Sequence, residues 1–537
     1  MKKFFRLLFS GYIFVFAALL IEVAVLIIFQ FYFDDLVRII LTDVLKLDPN
    51  SIGAAVTYIA SLGGYVLIKG IAFIVGLIIF LHIVNKEEDP EFKIPWIVGM
   101  LLLPFFVSVL YIIFGNHGLR KKDRMVVEGS INAYNAHFKL NEEKKNEYES
   151  ELGNAVGTFK YLFHTTHLGI HKNNRVTYYK NGEEFFPAFK EGLKQAKQFI
   201  FIEFFIISDG KEWKEVQDIL IQKAKEGVDV RIVYDDMGCT GTISGFTPRR
   251  LKKYGIQAFK FHPFRPILSG VFNNRDHRKI VIIDHQMAFT GGINLADEYA
   301  NEIKRFGYWK DTMVKIEGSA INNLITIFLQ NFNLCTYVIS DYNKYLLYDY
   351  EKYDDEGFVM PFGDGPGGID NALIGEQNYI NILNYAKDKV YISTPYLVPT
   401  YQLIDAMRNA ALRGVEVNLI LPGIPDKKIV YWVAKSNFHY LLEAGVNIYI
   451  YKPGFNHMKS ALADDELAFV GTINFDFRSL VHHFECGTIL YKCNCMKEIH
   501  DDFEEMMSVS EKVPKNFRMH LIPKLFCLLI KLFTPLL

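Results

Sequence analysis

The sequence predicts an α/β protein built from two tandem, related domains with pseudo-twofold symmetry, preceded by transmembrane helices. Three observations carry that prediction. The chain repeats a strand–helix–strand pattern in its two halves. Each half holds one copy of a His-x-Lys-x4-Asp motif, and the first 118 residues are dominated by long apolar runs.

The repeat sets the fold class. In the first half, the apolar stretch Phe199 to Ile207 is followed by a helix-permissive segment and then by Gly227 to Tyr234. In the second, Val390 to Tyr396 precedes a similar segment and then Gly414 to Leu421. Runs of Val, Ile, Phe and Tyr with little polar alternation mark strands buried on both faces, and the intervening helices supply the cover. A constant shift of 180 positions superimposes His277 on His457, Lys279 on Lys459 and Asp284 on Asp464. The same shift carries Ala288 to Asn294 onto Ala468 to Asn474. Matching motifs with matching flanks identify equivalent places in two related domains.

The transmembrane element rests on three runs: Gly11 to Phe33, Gly63 to Val84 and Pro95 to Gly115. Each is as long as the roughly 20 residues that span a bilayer. The basic start, Lys2, Lys3 and Arg6, leads into a core too long for a signal peptide and without an Ala-x-Ala-like cleavage site, so it reads as a retained anchor. Positive charge at that end and again at Arg120, Lys121, Lys122 and Arg124 places both flanks on the cytoplasmic side. Three full crossings cannot satisfy that, so either one run is re-entrant or interfacial, with Glu22 making the first the natural suspect, or one of the two charge clusters is overridden, which leaves two or three spans. The expectation is a multi-pass protein of the cell membrane with cytoplasmic catalytic domains. Arg120 to Asn154 is charged and lacks a wide apolar stripe, which predicts a surface linker helix. Arg518 to Leu537 sets Lys524 and Lys531 among Leu, Ile and Phe, the pattern of an amphipathic interfacial helix.

Composition excludes other classes. Of 537 residues half are apolar and 22% charged, which fits neither a disordered chain nor an all-membrane protein. A net charge of −1 provides no general basic field for a polyanion, so no nucleic-acid partner is expected. The six cysteines show no C-x2-C spacing and read as reduced thiols. Gly363 to Gly368 matches a dinucleotide fingerprint in letters only: Pro366 interrupts it, no clear strand is predicted before it, and a turn ahead of a helix near Asp370 is expected.

The motifs carry the chemistry. In an extended segment residues i and i+2 share a face, so His277 projects with Lys279 and His457 with Lys459. Asn294 and Asn474, each expected on a neighbouring strand, bring amides towards the same pocket. Two imidazoles, two ammoniums and two amides suit a phosphate diester. One neutral histidine attacks phosphorus, the other donates a proton to the leaving alcohol, and the lysines and asparagines bind the non-bridging oxygens, so that no metal or other cofactor is required. A carboxylate beside each histidine would hold its tautomer, with Glu485 the candidate for His457 and Asp311 for His277. Asp284 and Asp464 complete the motifs, with turn formation favoured over direct catalysis.

These motifs resemble the phospholipase D superfamily, and within it the bacterial cardiolipin synthases. The resemblance extends over nearly the whole chain. It takes in Trp96 to Gly115, Gly291 to Tyr299, Trp309-Lys-Asp-Thr312, Thr394-Pro-Tyr-Leu-Val-Pro399, Asn474-Phe-Asp-Phe-Arg-Ser479 and Glu485. It implies two tandem phospholipase D-like domains, at 171–345 and 376–512. Around them it leaves a membrane region at 1–118, linkers at 119–170 and 346–375, and a tail at 513–537. It further implies transfer of a phosphatidyl group from one phosphatidylglycerol to another through a phospho-histidine, with His277 as nucleophile and His457 as general acid. The expected partners are phosphatidylglycerol, other anionic phospholipids and the bilayer, and assembly of several copies is left open. A membrane phospholipase, a phosphatidylserine synthase or a nuclease would carry the same motifs.

Overall fold

A computed structural model describes residues 43, 46, 70 and 73–531, except 89, 116–117, 136–137, 264–273 and 367–371. The chain divides into two compact units, Met1–His117 with Arg265–Val271 and Gly118–Phe264 with Phe272–Leu537. In the first, a helix over residues 73–85 is followed by α1 (Pro90–Leu102) and α2 (Pro104–Phe114). Ile83, Met100 and Val107 form their small shared core. No helix among the described residues is long and apolar enough to cross a membrane. The run expected to span from Pro95 to Gly115 is instead two helices of 13 and 11 residues. The cause is Pro104, which lacks an N–H to continue the first helix and disfavours helical geometry at Leu103. The run Gly11 to Phe33, and Gly63 to Val84 up to residue 72 apart from residue 70, lie outside the described residues.

The second unit holds both halves of the repeat. Through the first half run β1 (His171–Lys172), β2 (Arg175–Tyr179), β3 (Phe199–Phe204), β4 (Asp229–Asp235) and β5 (Gln257–Phe261). After them come β6 (Lys279–Ile283), β7 (Met287–Gly291), β8 (Tyr308–Lys310) and β9 (Met313–Glu317). The second half opens with β10 (Phe358–Asp364), β11 (Lys389–Ser393), β12 (Leu397–Val398), β13 (Glu416–Pro422), β14 (Asn447–Tyr451) and β15 (Gly454–Asn456). It closes with β16 (Ser460–Ala463), β17 (Leu467–Gly471), β18 (Phe475–Asp476), β19 (Glu485–Tyr491) and β20 (Ser510–Lys512).

Two mixed sheets result, ordered β2-β9-β7-β6-β3-β4-β5 and β1-β10-β19-β17-β16-β11-β13-β14-β20. In each, a central strand lies parallel to one neighbour and antiparallel to the motif strand: β3 between β4 and β6, β11 between β13 and β16. Every residue of β3 is buried, its one charged member Glu203 included, and the five apolar ones supply a strand covered on both faces.

The principal helices are α3 (Lys121–Asn135), α4 (Val156–Thr166), α5 (Gly182–Gln195), α6 (Lys211–Lys225), α7 (Ile321–Thr336) and α8 (Ile374–Tyr385). They continue with α9 (Tyr401–Leu412), α10 (Lys428–Ala444), α11 (Met496–Ser508) and α12 (Leu521–Lys531). Asn181 caps α5 by accepting from the Glu184 N–H, and Thr400 caps α9. Helix α7 is buried along most of its length between the halves, with Phe328 stacked on Phe201 at 4.7 Å. Burying such a ring stabilises the unit by up to about 3 kcal/mol.

The segment from Arg120 departs from the expected solvated linker. Helix α3 buries Asp123, Val126, Ser130 and Tyr134, and Asn333 of α7 donates to the Ser130 hydroxyl at 3.0 Å. Two of those four buried positions are polar, so no apolar stripe betrays the contact. The two halves also share strands. β1 pairs with β10 of the second sheet, and β8 with β15, each across the repeat. Strand β10 itself falls inside the segment expected to link the domains at 346–375. Gly363 therefore belongs to a strand after all, but β10 is antiparallel to β19 and forms no part of a βαβ unit. All six cysteines are free.

Candidate active site

The motif residues sit where the halves meet. His277 stands two residues ahead of Lys279, the first residue of β6. Its N–H donates to the Phe484 carbonyl at 2.8 Å, and the His457 N–H donates to that of Lys310 at 2.7 Å. Each histidine is thus pinned to the opposite half by its own backbone. The side chains follow. His277 Nδ1 lies 3.0 Å from a Glu485 carboxylate oxygen and His457 Nδ1 lies 2.6 Å from Asp311 Oδ2. This corrects the expected pairing, in which Glu485 served His457 and Asp311 served His277. The acids are exchanged because each one lies beside a segment, ending at Phe484 or Lys310, that is hydrogen-bonded to the other half's motif.

The lysines are held against their own histidines. Both ammoniums are buried and each turns back to donate to its own histidine's carbonyl, Lys279 to His277 and Lys459 to His457. Lys459 Nζ also lies 2.7 Å from His457 Nδ1 and 3.8 Å from Asp311. Burial pushes Lys279 down to about 8 and Lys459 to about 7, against the pull of Glu485 and Asp311. The same loss of water holds His277 down at about 3 and His457 well below its ordinary value. Both imidazoles are therefore neutral at pH 7 in the free enzyme. Charges from both halves act on one another here, since Lys279 bears on His457 and Asp311 on Lys279.

The two carboxylates differ. Glu485 accepts from His277, from the Thr472 hydroxyl and from Ser479 Oγ at 2.5 Å. Burial works to raise its pKa, but the His277 and His483 imidazoles outweigh that and hold it below the ordinary carboxylate range. Asp311 has Gly292 where the other half has Thr472; a Cβ there would come within 2.0 Å of Asp311 Oδ1. Without that hydroxyl donor, burial lifts Asp311 to about 6.

Other expected site residues fall elsewhere. Asn294 and Asn474 lie in loops beyond β7 and β17 rather than on neighbouring strands. The Asn294 amide is committed to structure, accepting from the Ile206 N–H at 3.0 Å and donating to the Tyr299 hydroxyl at 2.7 Å. Asn474 is buried, and its Oδ1 has no hydrogen-bond partner among the described residues. Asp284 and Asp464 stand at the far ends of β6 and β16 with positive φ. Asp284 accepts from the N–H groups of Lys197, Gln198 and Phe199, and Asp464 from those of Lys387, Asp388 and Lys389. They clamp the entry to the central strands instead of facing the reacting atoms. Asp284→Ala is expected to cost about 3 kcal/mol, as three charge-assisted bonds are lost, while leaving the rate per folded molecule within a few-fold. Thermal unfolding followed alongside turnover at low temperature checks both halves of that statement.

Sequence reasoning missed His483, whose ring lies 5.5 Å from that of His277. It missed the aromatic walls too: Phe205 against His277, and Tyr299, Trp309 and Phe455 against His457. A third histidine two residues before Glu485 was one available signal, and Tyr299 and Trp309 stood in stretches that carry the family resemblance without being singled out. Among the described residues, His277, His483 and Glu485 form the group whose ligand atoms approach closely enough, within 4.8 Å, to hold a metal ion.

A fold of two mixed sheets sharing one buried His–Lys pair from each half defines a phospholipase D-like enzyme. Comparison with known proteins agrees. The family model described as "Cardiolipin synthase, PLD-like domain" matches residues 189–330 and 379–507, and "Phospholipase_D-nuclease N-terminal" matches 74–116. An uncharacterized protein of Streptococcus mutans is 41% identical over 85% of this chain and 99% of its own length. Cardiolipin synthase 2 of Bacillus cereus is 34% identical over 82% of this chain and 85% of its own. Cardiolipin synthase of Staphylococcus aureus is 32% identical over 83% and 91%. The crystal structure of phosphatidylserine synthase from Haemophilus influenzae superimposes with a TM-score of 0.55 at 16% identity, covering 71% of this chain and 97% of that one, a likeness of fold. The chain belongs to the cardiolipin synthase family of phospholipase D-like proteins and is a phosphatidyltransferase of that type.

Proposed function

We propose that this enzyme makes cardiolipin, moving a phosphatidyl group from one phosphatidylglycerol to the glycerol hydroxyl of another and releasing glycerol. The observation that carries the reading is the crossed pairing of two histidines with two carboxylates in one buried cluster that also holds two lysines. With each carboxylate accepting from Nδ1, each Nε2 keeps its lone pair. His277 Nε2 attacks phosphorus; the bond to the first glycerol oxygen breaks, and that oxygen takes a proton from His457. The acceptor hydroxyl then returns a proton to His457 as its oxygen attacks phosphorus and the P–N bond to His277 breaks. Assignment of His277 as nucleophile is supported by Glu485, the more firmly ionised of the two acids, which stabilises the positive phospho-imidazole. Lys279, Lys459 and the Asn474 amide bind the non-bridging oxygens. The incoming diester supplies the negative charge that favours a protonated His457.

Residence at the membrane is part of the same reading. It is supported by the family's amino-terminal match and by exposed apolar side chains there, among them Ile74, Ile78, Leu81, Leu101, Leu102 and Ile112. Reconstituted protein given labelled phosphatidylglycerol is expected to yield cardiolipin and glycerol in equal amounts; phosphatidic acid alone would overturn the proposal in favour of a phospholipase.

The pH dependence of kcat/KM follows from the free enzyme. Lys279 and Lys459 lose their charge as pH rises through about 8 and about 7, so substrate capture weakens on the alkaline side. Asp311 gains a proton as pH falls through about 6, removing the acceptor for His457. A bell with limbs near those values is expected, and Asp311→Asn should abolish the acid limb while leaving the alkaline one.

A further inference from the structure

Helix α12 lies along α10 on the outside of the second half. Its inner side places Cys527 and Ile530 against Val398 of β12 and Val430 and Val433 of α10. Lys531 donates to the Asn437 side chain at 2.8 Å, and Asn437 donates in turn to the Leu397 carbonyl at 3.2 Å, so α12 is tied to β12 through α10. Its other side is bare: Leu521 is 70% exposed, Ile522 81% and Leu528 60%, with Leu525 also exposed. Beside them α10 exposes Ile429 and Trp432, whose indole meets the Phe526 ring at 5.9 Å. Positions along a helix step by about 100°, which groups residues 521, 525 and 528 on one line and sets Lys524 and Lys531 together at its edge. Lys428 and Lys515 are exposed on the neighbouring segments.

Apolar side chains edged by lysine, with a tryptophan at the boundary, are the chemistry of a surface that lies in the headgroup layer of an anionic bilayer. A partner protein's groove would not require the lysines. The face also adjoins the pocket. β12 pairs with β18, which follows Asn474 directly, and Lys427, the residue before α10, lies 2.9 Å from the Tyr396 hydroxyl and bears electrostatically on His457. We propose that α10 and α12 together form a docking platform that enters the surface of an anionic membrane beside the mouth of the active site.

The test uses the full chain in phosphatidylglycerol vesicles carrying Trp96→Phe, which removes the tryptophan of the amino-terminal unit. Trp213 and Trp309 are buried, so quenching by lipids brominated on the upper acyl chain reports Trp432. Quenching is expected, and it should be lost in Trp432→Phe and strongly reduced in Ile522→Asp/Leu525→Asp. The double variant should also lose about tenfold or more in rate on bilayer lipid, each aliphatic side chain withdrawn from lipid carrying roughly that factor. Its rate on a short-chain, monomeric phosphatidylglycerol should stay unchanged, which also shows that it folds. Absent quenching, or quenching equal in the double variant, would overturn the proposal, as would a dimer that shields Trp432 from the lipid. The quenching readout needs no turnover, so failure of the proposed reaction would leave it intact.

Discussion

Replacing His277 or His457 by Asn is expected to lower turnover by about four orders of magnitude or more, the scale seen when one member of a catalytic unit acting in concert is removed. The two variants should then differ from one another. His277→Asn removes the atom that bonds to phosphorus, so no covalent species forms on any substrate. His457→Asn removes the proton donor alone. With a diester whose leaving group needs no proton, a nitrophenol for example, that variant should still form the phospho-enzyme and accumulate it, because the acceptor hydroxyl is no longer deprotonated. Rapid quenching with labelled substrate, followed by mapping of the acid-labile label, checks this. Label on His457 in the His277→Asn variant would reverse the roles.

Exchange of the acids produces the second large effect. Glu485→Gln is expected to lower kcat by about three orders of magnitude, comparable to other cases in which a histidine's orienting carboxylate is made neutral. The loss should be redundant with that of His277→Asn and additive with that of His457→Asn, since 3.0 Å separates Glu485 from His277. Asp311→Asn should show the opposite pattern. A double-mutant cycle on kcat measures it. Coupling of Glu485 to His457 instead would restore the uncrossed pairing that the order of residues along the chain suggested.

That pairing shows where sequence reading stopped. The motifs were legible because their information is local: His277 and Lys279 are two residues apart, and any extended backbone puts them on one side. The sheets were legible for the same reason, in the largely apolar runs of β3 and β11, interrupted by Glu203 in the first and bounded by Lys389 and Ser393 in the second. Glu485 and Asp311 were found as candidates but assigned to the wrong histidines, because each hydrogen bond closes a loop of 208 or 146 residues and a near-symmetric repeat offers both closures equally. Asp284 and Asp464 have the letters of the motif, yet only the positions of three backbone N–H groups reveal them as clamps. Helix α3 was read as solvated since two of its four buried side chains are polar, and the Ser130 hydroxyl finds its partner on α7.

Chain order and residue type alone determined the α/β class, the duplication, the two His–Lys pairs and the family they resemble, all of which depend on spacings of a few residues or on a constant shift between halves. Tertiary structure alone decided which carboxylate serves which histidine, that β1 and β8 are lent to the opposite half, and that the run ending at Gly115 breaks at Pro104 into two short helices. The first group is set by backbone geometry, which each residue carries with it; the second by which distant surfaces exclude water together, which no local pattern records.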